Sequence, residues 1–386
     1  MTSPVHALGG LPAHEAEALG VAHTAKEILQ QPRLWLETFE RSRGHRPEIQ
    51  RFLSDTRHSV LIGAGSSDYV AQLVAPAFRA RFDGVAQALP STDLLTQSEA
   101  LLPSGQVYSF VWFSRSGTTP EALELLPVLE RRSPPSRHLL VTCNAEAALL
   151  QRAAKARSYR VVLNDACNDR GLAMTSSFTC MALAGLLLVL PAPERSAVAE
   201  LALAGERVLE KSGPLAALAR SGHGAACFLG SGSLKAAAAE CALKLTELTA
   251  GRVATRCDSF LGVRHGPLAS LSPSTTLVGF LSRSASEREY ELELVREVRA
   301  KALAGAILLV APEHDARAEA LADVYVDLGL TAQVPELLRP LLDVTVGQLL
   351  ALFSSLAHGL RPDSPSPNGA IARVVGNIRP AAEPSP

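Results

Sequence analysis

The segment Ala238-Ala-Glu240-Cys-Ala-Leu-Lys244-Leu-Thr-Glu247 sets two carboxylates and an ammonium at helical spacing. Residues seven apart share one face of a helix, and the lysine falls about one turn from each. Two carboxylates on an otherwise apolar helix suit proton abstraction from carbon, although the same spacing also suits a salt-bridged surface face. Downstream, Gly262-Val-Arg264-His265-Gly266-Pro267 fixes a histidine in a tight turn. Histidine both gives and takes a proton near neutral pH, which suits general acid–base work. A lone loop histidine is as readily structural. The chain has 10 histidines, and the others show no metal-ligand spacing, so neither a metal nor another cofactor is expected.

A second group of residues suits an anion. Gly63-Ala-Gly65-Ser66-Ser67-Asp68 follows an apolar run and precedes a helical pattern. Glycines there allow a tight turn, while hydroxyls and free N–H groups at a helix start converge on negative charge. Alone, this is also a plain strand-to-helix turn with a serine cap. Ser114-Arg115-Ser116-Gly117-Thr118-Thr119-Pro120-Glu121 is more telling: hydroxyls crowd around one glycine, with proline opening the next helix. The Gly-Lys-Ser/Thr of a nucleotide loop is missing, so a sugar phosphate is expected rather than ATP.

The elements that must position these groups occur twice. Leu61-Ile-Gly63-Ala-Gly65-Ser66 is echoed by Leu229-Gly230-Ser-Gly232-Ser, and Ser114-Arg-Ser by Ser282-Arg-Ser, at offsets of 167 and 168 residues. The copies have diverged. Gly117 and Thr119 correspond to Ala285 and Glu287, which predicts that the second copy has lost its anion site. Glu240 and Glu247 correspond to Leu73 and Ala80, so the carboxylates belong to the second copy alone. Apolar runs at 59–62, 108–113, 138–142 and 160–163 predict strands in the first copy; 226–229, 275–281, 306–310 and 322–326 do so in the second. Alternating with amphipathic helices, they predict an α/β protein: two domains, each a three-layer αβα sandwich around a mostly parallel sheet. Ligands in such folds lie at the carboxyl ends of the strands. The expected organisation is a helical leader (1–50), a first domain with the phosphate cradle (51–195), a second with the acid–base residues (196–361) and a tail (362–386). Pro191 and Pro193 mark the connection. Residues 1–20, rich in Ala and Gly, are expected to be poorly ordered. Thr24-Ala-Lys-Glu27 has a capping-box pattern opening a helix with Ile28, Leu34, Leu36 and Phe39 on its apolar face. A short ordered stretch is expected at Ala370–Ile378.

Bulk properties agree with a buried two-domain protein. The chain has 386 residues, 47% hydrophobic and 19% charged, with net charge −1. That balance gives no long-range field for nucleic acid or an anionic membrane. The apolar run Met181–Pro191 is too short to span a bilayer. The start, Met-Thr-Ser-Pro-Val-His, lacks a signal-peptide pattern, and the six cysteines lack CxxC spacing. A cytoplasmic protein without nucleic-acid or membrane partners is expected.

Gly65-Ser66-Ser67, Ser114-Arg-Ser-Gly-Thr-Thr, Glu240-x6-Glu247 and Arg264-His-Gly-Pro together resemble the tandem SIS (sugar isomerase) family over nearly the whole chain. Thr24-Ala-Lys-Glu-Ile, Gln30-Gln-Pro-Arg-Leu-Trp, Ala173-Met-Thr-Ser-Ser-Phe-Thr and Ala372-Arg-Val-Val are similar to its AgaS subgroup, the tagatose-6-phosphate ketose/aldose isomerases and galactosamine-6-phosphate deaminases. The isomerase half of glucosamine-6-phosphate synthase is a more distant relative. That synthase carries a glutaminase domain with Cys directly after Met1; with Thr2 after Met1, no such domain is expected here.

The resemblance implies roles. Ser66, Ser67, Ser114, Ser116 and Thr119 would hold a phosphate with Arg115 alongside. Glu247 would shuttle a proton between C2 and C1, His265 would open the sugar ring, often from a neighbouring subunit, and Glu240 would orient the sugar. Arg373 stands where the synthase has a lysine; an arginine there donates hydrogen bonds and forms no Schiff base. Asn368-Gly369 replaces the subgroup's Thr-Gly. The implied reaction converts galactosamine 6-phosphate to tagatose 6-phosphate and ammonia in a homodimer whose one partner is a small sugar phosphate. Plain aldose–ketose isomerisation, fructosamine-phosphate deglycation and a non-catalytic sugar-phosphate sensor are the alternatives.

Overall fold

The computed structural model describes residues 2–54, 56–82, 84–154, 157–190, 194–374 and 376. Four leader helices, α1 (Pro4–Gly9), α2 (Ala13–Leu19), α3 (Thr24–Leu29) and α4 (Gln31–Leu53), precede the first repeat. That repeat runs β1 (His58–Gly63), α5 (Ser66–Arg81), β2 (Val85–Pro90), α6 (Ser91–Leu101), β3 (Tyr108–Ser114), α7 (Pro120–Arg132), β4 (Arg137–Thr142), α8 (Ala148–Arg152), β5 (Ser158–Val162) and α9 (Ser176–Val189). The second begins with α10 (Arg195–Glu210) and α11 (Gly213–Arg220). It continues through β6 (Ala225–Gly230), α12 (Ser233–Leu248), β7 (Ala254–Asp258), β8 (Thr275–Phe280), α13 (Ala285–Ala300), β9 (Ala306–Ala311), α14 (Ala316–Glu319), β10 (Val324–Asp327) and α15 (Pro340–Ala357).

Each repeat folds into a five-stranded, wholly parallel sheet, in the orders β2-β1-β3-β4-β5 and β7-β6-β8-β9-β10. The two orders are the same, element for element. Alternation along the strands explains the layers. Leu61, Val111, Leu139 and Val141 point into a large central core shared by both repeats. Val60, Ile62, Phe110, Trp112 and Leu140 point into a separate outer core with Leu125 and Leu129 of α7. Both faces are covered, so the strands read as continuous apolar runs. In each sheet the chain leaves its first strand in opposite directions to the second and third, which opens a crevice at their carboxyl ends.

The central layer contains α5, α9, α12 and α15, and α12 packs on α5 across the repeat boundary. Every residue of α9 is buried. The span Glu336–Ala357 is long and apolar enough to cross a membrane, but 89% of its most apolar 18 residues are buried inside the fold, where they serve as a core helix. Five cysteines are buried and free; Cys257 is half-buried.

Three expectations need correction. Residues 2–20 are largely helical. Val5 is fully buried, Ser3 Oγ donates to the Leu209 carbonyl at 2.9 Å, and a Cβ on Gly9 would lie 2.2 Å from Leu29. The small residues there permit close packing. The Thr24/Glu27 capping box does not form: Thr24 Oγ1 donates to Asp363 (2.7 Å) and Glu27 accepts from the Arg170 and Gly171 amides, because tertiary donors and acceptors outcompete the local ones. The leader apolar face belongs to two helices, broken at Gln30. The sequence does not predict β2 and β7; both are edge strands and are mostly half-exposed. Pro191 and Pro193 lie outside the described residues, as does part of the 370–378 stretch, whose described part forms neither helix nor strand.

Candidate active site

The crevice between the carboxyl ends of β1 and β3 opens into a cavity of about 500 Å³. One wall is the turn after β1. Gly63 must be glycine because a Cβ would lie 2.1 Å from the Ser67 backbone. Gly65, at φ 56° and ψ −126°, occupies a conformation that essentially only glycine adopts, which aims the start of α5 at the cavity. The opposite wall is the loop after β3. Its Ser114 Oγ accepts from the Gly117 amide (3.1 Å), Ser116 Oγ accepts from the Thr118 amide (3.3 Å), and Pro120 starts α7 behind Thr119. Two helix N-termini thus converge on one space with hydroxyls around it, an arrangement suited to a phosphate. Ser66, Ser67, Ser114, Ser116 and Thr119 all line it.

The loop is held from behind by residues that sequence reading missed. Thr142 Oγ1 donates to the Arg115 carbonyl (3.2 Å) and Asn144 Nδ2 to the Ser116 carbonyl (2.9 Å). A Thr-Cys-Asn ending an apolar strand was the available signal. A further wall comes from residues 172–174, whose shape is set by Asp169. Its buried carboxylate accepts from the amides of Thr175 (2.7 Å) and Ser177 (2.9 Å) and from hydroxyls of residues 175–177. Nothing local in the sequence singles out this aspartate.

The second repeat contributes through α12. Lys244, fully buried, contacts Glu247 Oε2, lies 3.5 Å from Glu240 Oε1 and donates to Ser66 Oγ across the repeat boundary (2.9 Å). The spacing in the sequence therefore gathers two carboxyl groups around one buried ammonium. Glu247 lines the cavity. Glu240 does not: it is fully buried behind Lys244, and neither of its oxygens has a hydrogen-bond donor in good geometry. Burial pushes Glu240 up to about 8, with the nearby Glu247 adding to the rise and Lys244 opposing it. Burial acts to lower Lys244, but the two carboxylates outweigh it and hold the ammonium above its ordinary value.

His265 is not among the cavity residues. It ends a 3₁₀ turn over Gly262–Arg264, exposed on the surface, while Arg264 pairs with Glu297 at 3.1 Å. Arg115 and Arg373 do line the cavity, yet each donates to protein oxygens: Arg115 to the carbonyls of Leu172 and Arg373, and Arg373 to the Asp169 carbonyl and Asn168 Oδ1.

In the second repeat the corresponding crevice is filled by its own acids. Glu291 accepts from the Ser282 amide (2.7 Å) and Glu287 from the Ser282 hydroxyl (2.6 Å). Carboxylates occupy the donors that would otherwise face an anion.

No protein-family model matches the chain. It is 36% identical over 389 residues to an AgaS protein of Streptomyces coelicolor, covering 98% of each. It is 30% identical over 378 residues to the D-galactosamine-6-phosphate deaminase AgaS of Shewanella sp. (strain ANA-3), covering 95% of this chain and 94% of the relative. The crystal structure of tagatose-6-phosphate ketose/aldose isomerase from Escherichia coli matches with a TM-score of 0.83 at 29% identity, over 89% of this chain and 94% of that one. Likeness at this level runs through both repeats, and the chain belongs to the AgaS family of tandem SIS-domain proteins.

Proposed function

We propose that this protein deaminates and isomerises galactosamine 6-phosphate to tagatose 6-phosphate. The observation that carries the reading is a carboxylate, Glu247, facing the same cavity as two hydroxyl-lined helix N-termini. The names of the relatives support the substrate. The phosphate sits against Ser66, Ser67, Ser114, Ser116 and Thr119, far enough from the reacting carbons to position them without reacting. Once the pyranose has opened, Glu247 takes the C2 proton while the C1 carbonyl oxygen gains one, forming an enolamine. Return of the proton to C1 gives a 2-imino sugar, and water converts this to the ketose with release of ammonia. Lys244 holds Glu247 in place and balances its charge in a buried setting. Glu240 positions Lys244 from behind rather than contacting the sugar.

Ring opening falls to His265. Because that residue is exposed away from the cavity of its own chain, it acts from a second copy, and the working unit is a homodimer in the cytoplasm. No metal or cofactor enters the proposed reaction.

The test is purified protein with galactosamine 6-phosphate, with free ammonia and ketose phosphate measured together. The two should rise in equal amounts. Interconversion of tagatose 6-phosphate with its aldose, without ammonia, would select plain isomerisation; no turnover of either would move the assignment to a deglycase or a sensor.

A further inference from the structure

Arg115 lies between Ser114 and Ser116, in the middle of the anion-binding loop, where a guanidinium is expected to meet the phosphate. Its contacts lead elsewhere. The side chain is only 7% exposed; Nη1 donates to the Leu172 carbonyl (3.4 Å) and Nη2 to the Arg373 carbonyl. Arg373 reaches in the opposite direction, with Nε 2.7 Å from the Asp169 carbonyl and Nη2 2.8 Å from Asn168 Oδ1. Asp169 is itself fixed by its bonds to residues 175–177. One network therefore joins the loop after β3, the 168–174 segment and the tail.

The tail needs such a network. From Asp363 to Val374 it has no helix or strand, yet Gly369–Val374 forms a wall of the cavity. Its root is fixed: the Asp363 carboxylate accepts from the His23 and Thr24 amides and the Thr24 hydroxyl, and its amide donates to the Gly20 carbonyl (2.8 Å). Beyond the root, the hydrogen bonds of Ser366, Asn368 and Gly369 stay within the tail. Pro365 is buried, and among the described residues the next hydrogen bonds to the body are those at Arg373.

We propose that Arg115 is a positioning residue that latches residues 369–374 as a strap across the mouth of the cavity, through the Arg373 carbonyl, and that it is not a phosphate ligand. This rests on the reading of the cavity as a sugar-phosphate site, but the contacts that carry it are within the chain. A planar guanidinium spans two carbonyls in a fixed fork, which a lysine ammonium does not reproduce. Ser114 and Ser116, on either side of the latch, are held separately, by the Gly117 and Thr118 amides and by Asn144, so the phosphate loop does not depend on it.

The test uses the full chain, the three single variants Arg115→Gln, Arg115→Lys and Arg373→Ala, and one double variant. Hydrogen–deuterium exchange is followed in peptides covering 364–374, with β3 peptides as an internal control for folding, and affinity for inorganic phosphate is measured calorimetrically. All three single variants should speed exchange of the tail by about tenfold or more, without change in β3. The Arg115→Gln/Arg373→Ala double variant should be no faster than either single one, as expected for two residues in one network. Phosphate affinity should stay within about twofold of wild type for both Arg115 variants. Unchanged tail exchange, or a loss of phosphate affinity of about tenfold in Arg115→Gln, would overturn the latch. Neither readout depends on turnover, so failure of the ammonia assay leaves this result standing on its own.

Discussion

Glu240 and Glu247 both lie within reach of Lys244, and only Glu247 meets the cavity. With burial pushing Glu240 up to about 8, this carboxyl keeps its proton near neutral pH and Lys244 pairs with Glu247 alone. A sealed carboxylic acid is thereby part of the fold rather than a second charge in the site. The pH consequence has a definite sign. A carboxyl raised from 4.5 to about 8 binds its proton more tightly in the folded state, so its contribution to stability is complete below about pH 4.5 and is lost as pH rises through 8. Glutamine at this position has no proton to lose. The melting temperature of Glu240→Gln, relative to wild type, should therefore climb between about pH 5 and pH 8 and level off above that, as read by calorimetry. A constant offset across that range would show that Glu240 is already ionised in the folded protein. The spacing of the two glutamates was legible in the sequence, but which of them reaches the ligand was not. That distinction depends on α12 packing against α5, which closes over Glu240 and leaves Glu247 at the rim.

At the scale of elements, the repeats share a backbone and differ in what hangs from it. Gly65 and Gly232 adopt nearly the same conformation, φ 56° with ψ −126° and φ 58° with ψ −126°, each one residue before its helix. Neither has a heavy atom within 4 Å of an added Cβ, so alanine costs backbone strain rather than a clash. Gly65→Ala and Gly232→Ala should each destabilise the protein by about 1–3 kcal/mol in urea unfolding. Affinity for inorganic phosphate should fall with Gly65→Ala alone, because in the second repeat Ser282, the counterpart of Ser114 on the facing loop, already serves Glu287 and Glu291. Equal losses of phosphate binding in both variants would mean that the second crevice also holds an anion. The same shared backbone made most of the fold readable. Strands buried on both faces, such as Phe110–Phe113 and Leu308–Val310, stand out as apolar runs. β2 and β7 were invisible because Val85-Ala-Gln-Ala and Ala254-Thr-Arg-Cys lie on half-exposed flanks, where burial imposes little pattern. The helices of the first 20 residues were hidden for a different reason: each is only 6 or 7 residues long, too short to stand alone, and is fixed by contacts with Leu29, Leu209 and Arg361, more than 15 residues away in every case.

For the whole molecule, the position of His265 decides how many chains make a site. The motif Arg264-His-Gly-Pro is an exposed turn on a chain whose cavity is walled by the first repeat, the tail and the tip of α12. If the histidine serves the cavity of a second copy, each site of a homodimer takes Glu247 from one chain and His265 from the other. Glu247→Gln alone should lower turnover by about 10²–10⁴-fold, the range for loss of a positioned base, and His265→Ala should also be strongly impaired. Unfolding and refolding the two variants together in equal amounts then gives a different result from either parent. Random pairing makes half of the dimers mixed, and each mixed dimer has one site with both wild-type residues, so about a quarter of wild-type activity should return. The recovered activity should depend on co-refolding and be absent when the separately folded variants are merely combined and assayed at once. A co-refolded mixture no more active than the mean of its parents would place His265 and Glu247 in the same chain's site, and would require the 262–267 turn to swing inward on ligand binding.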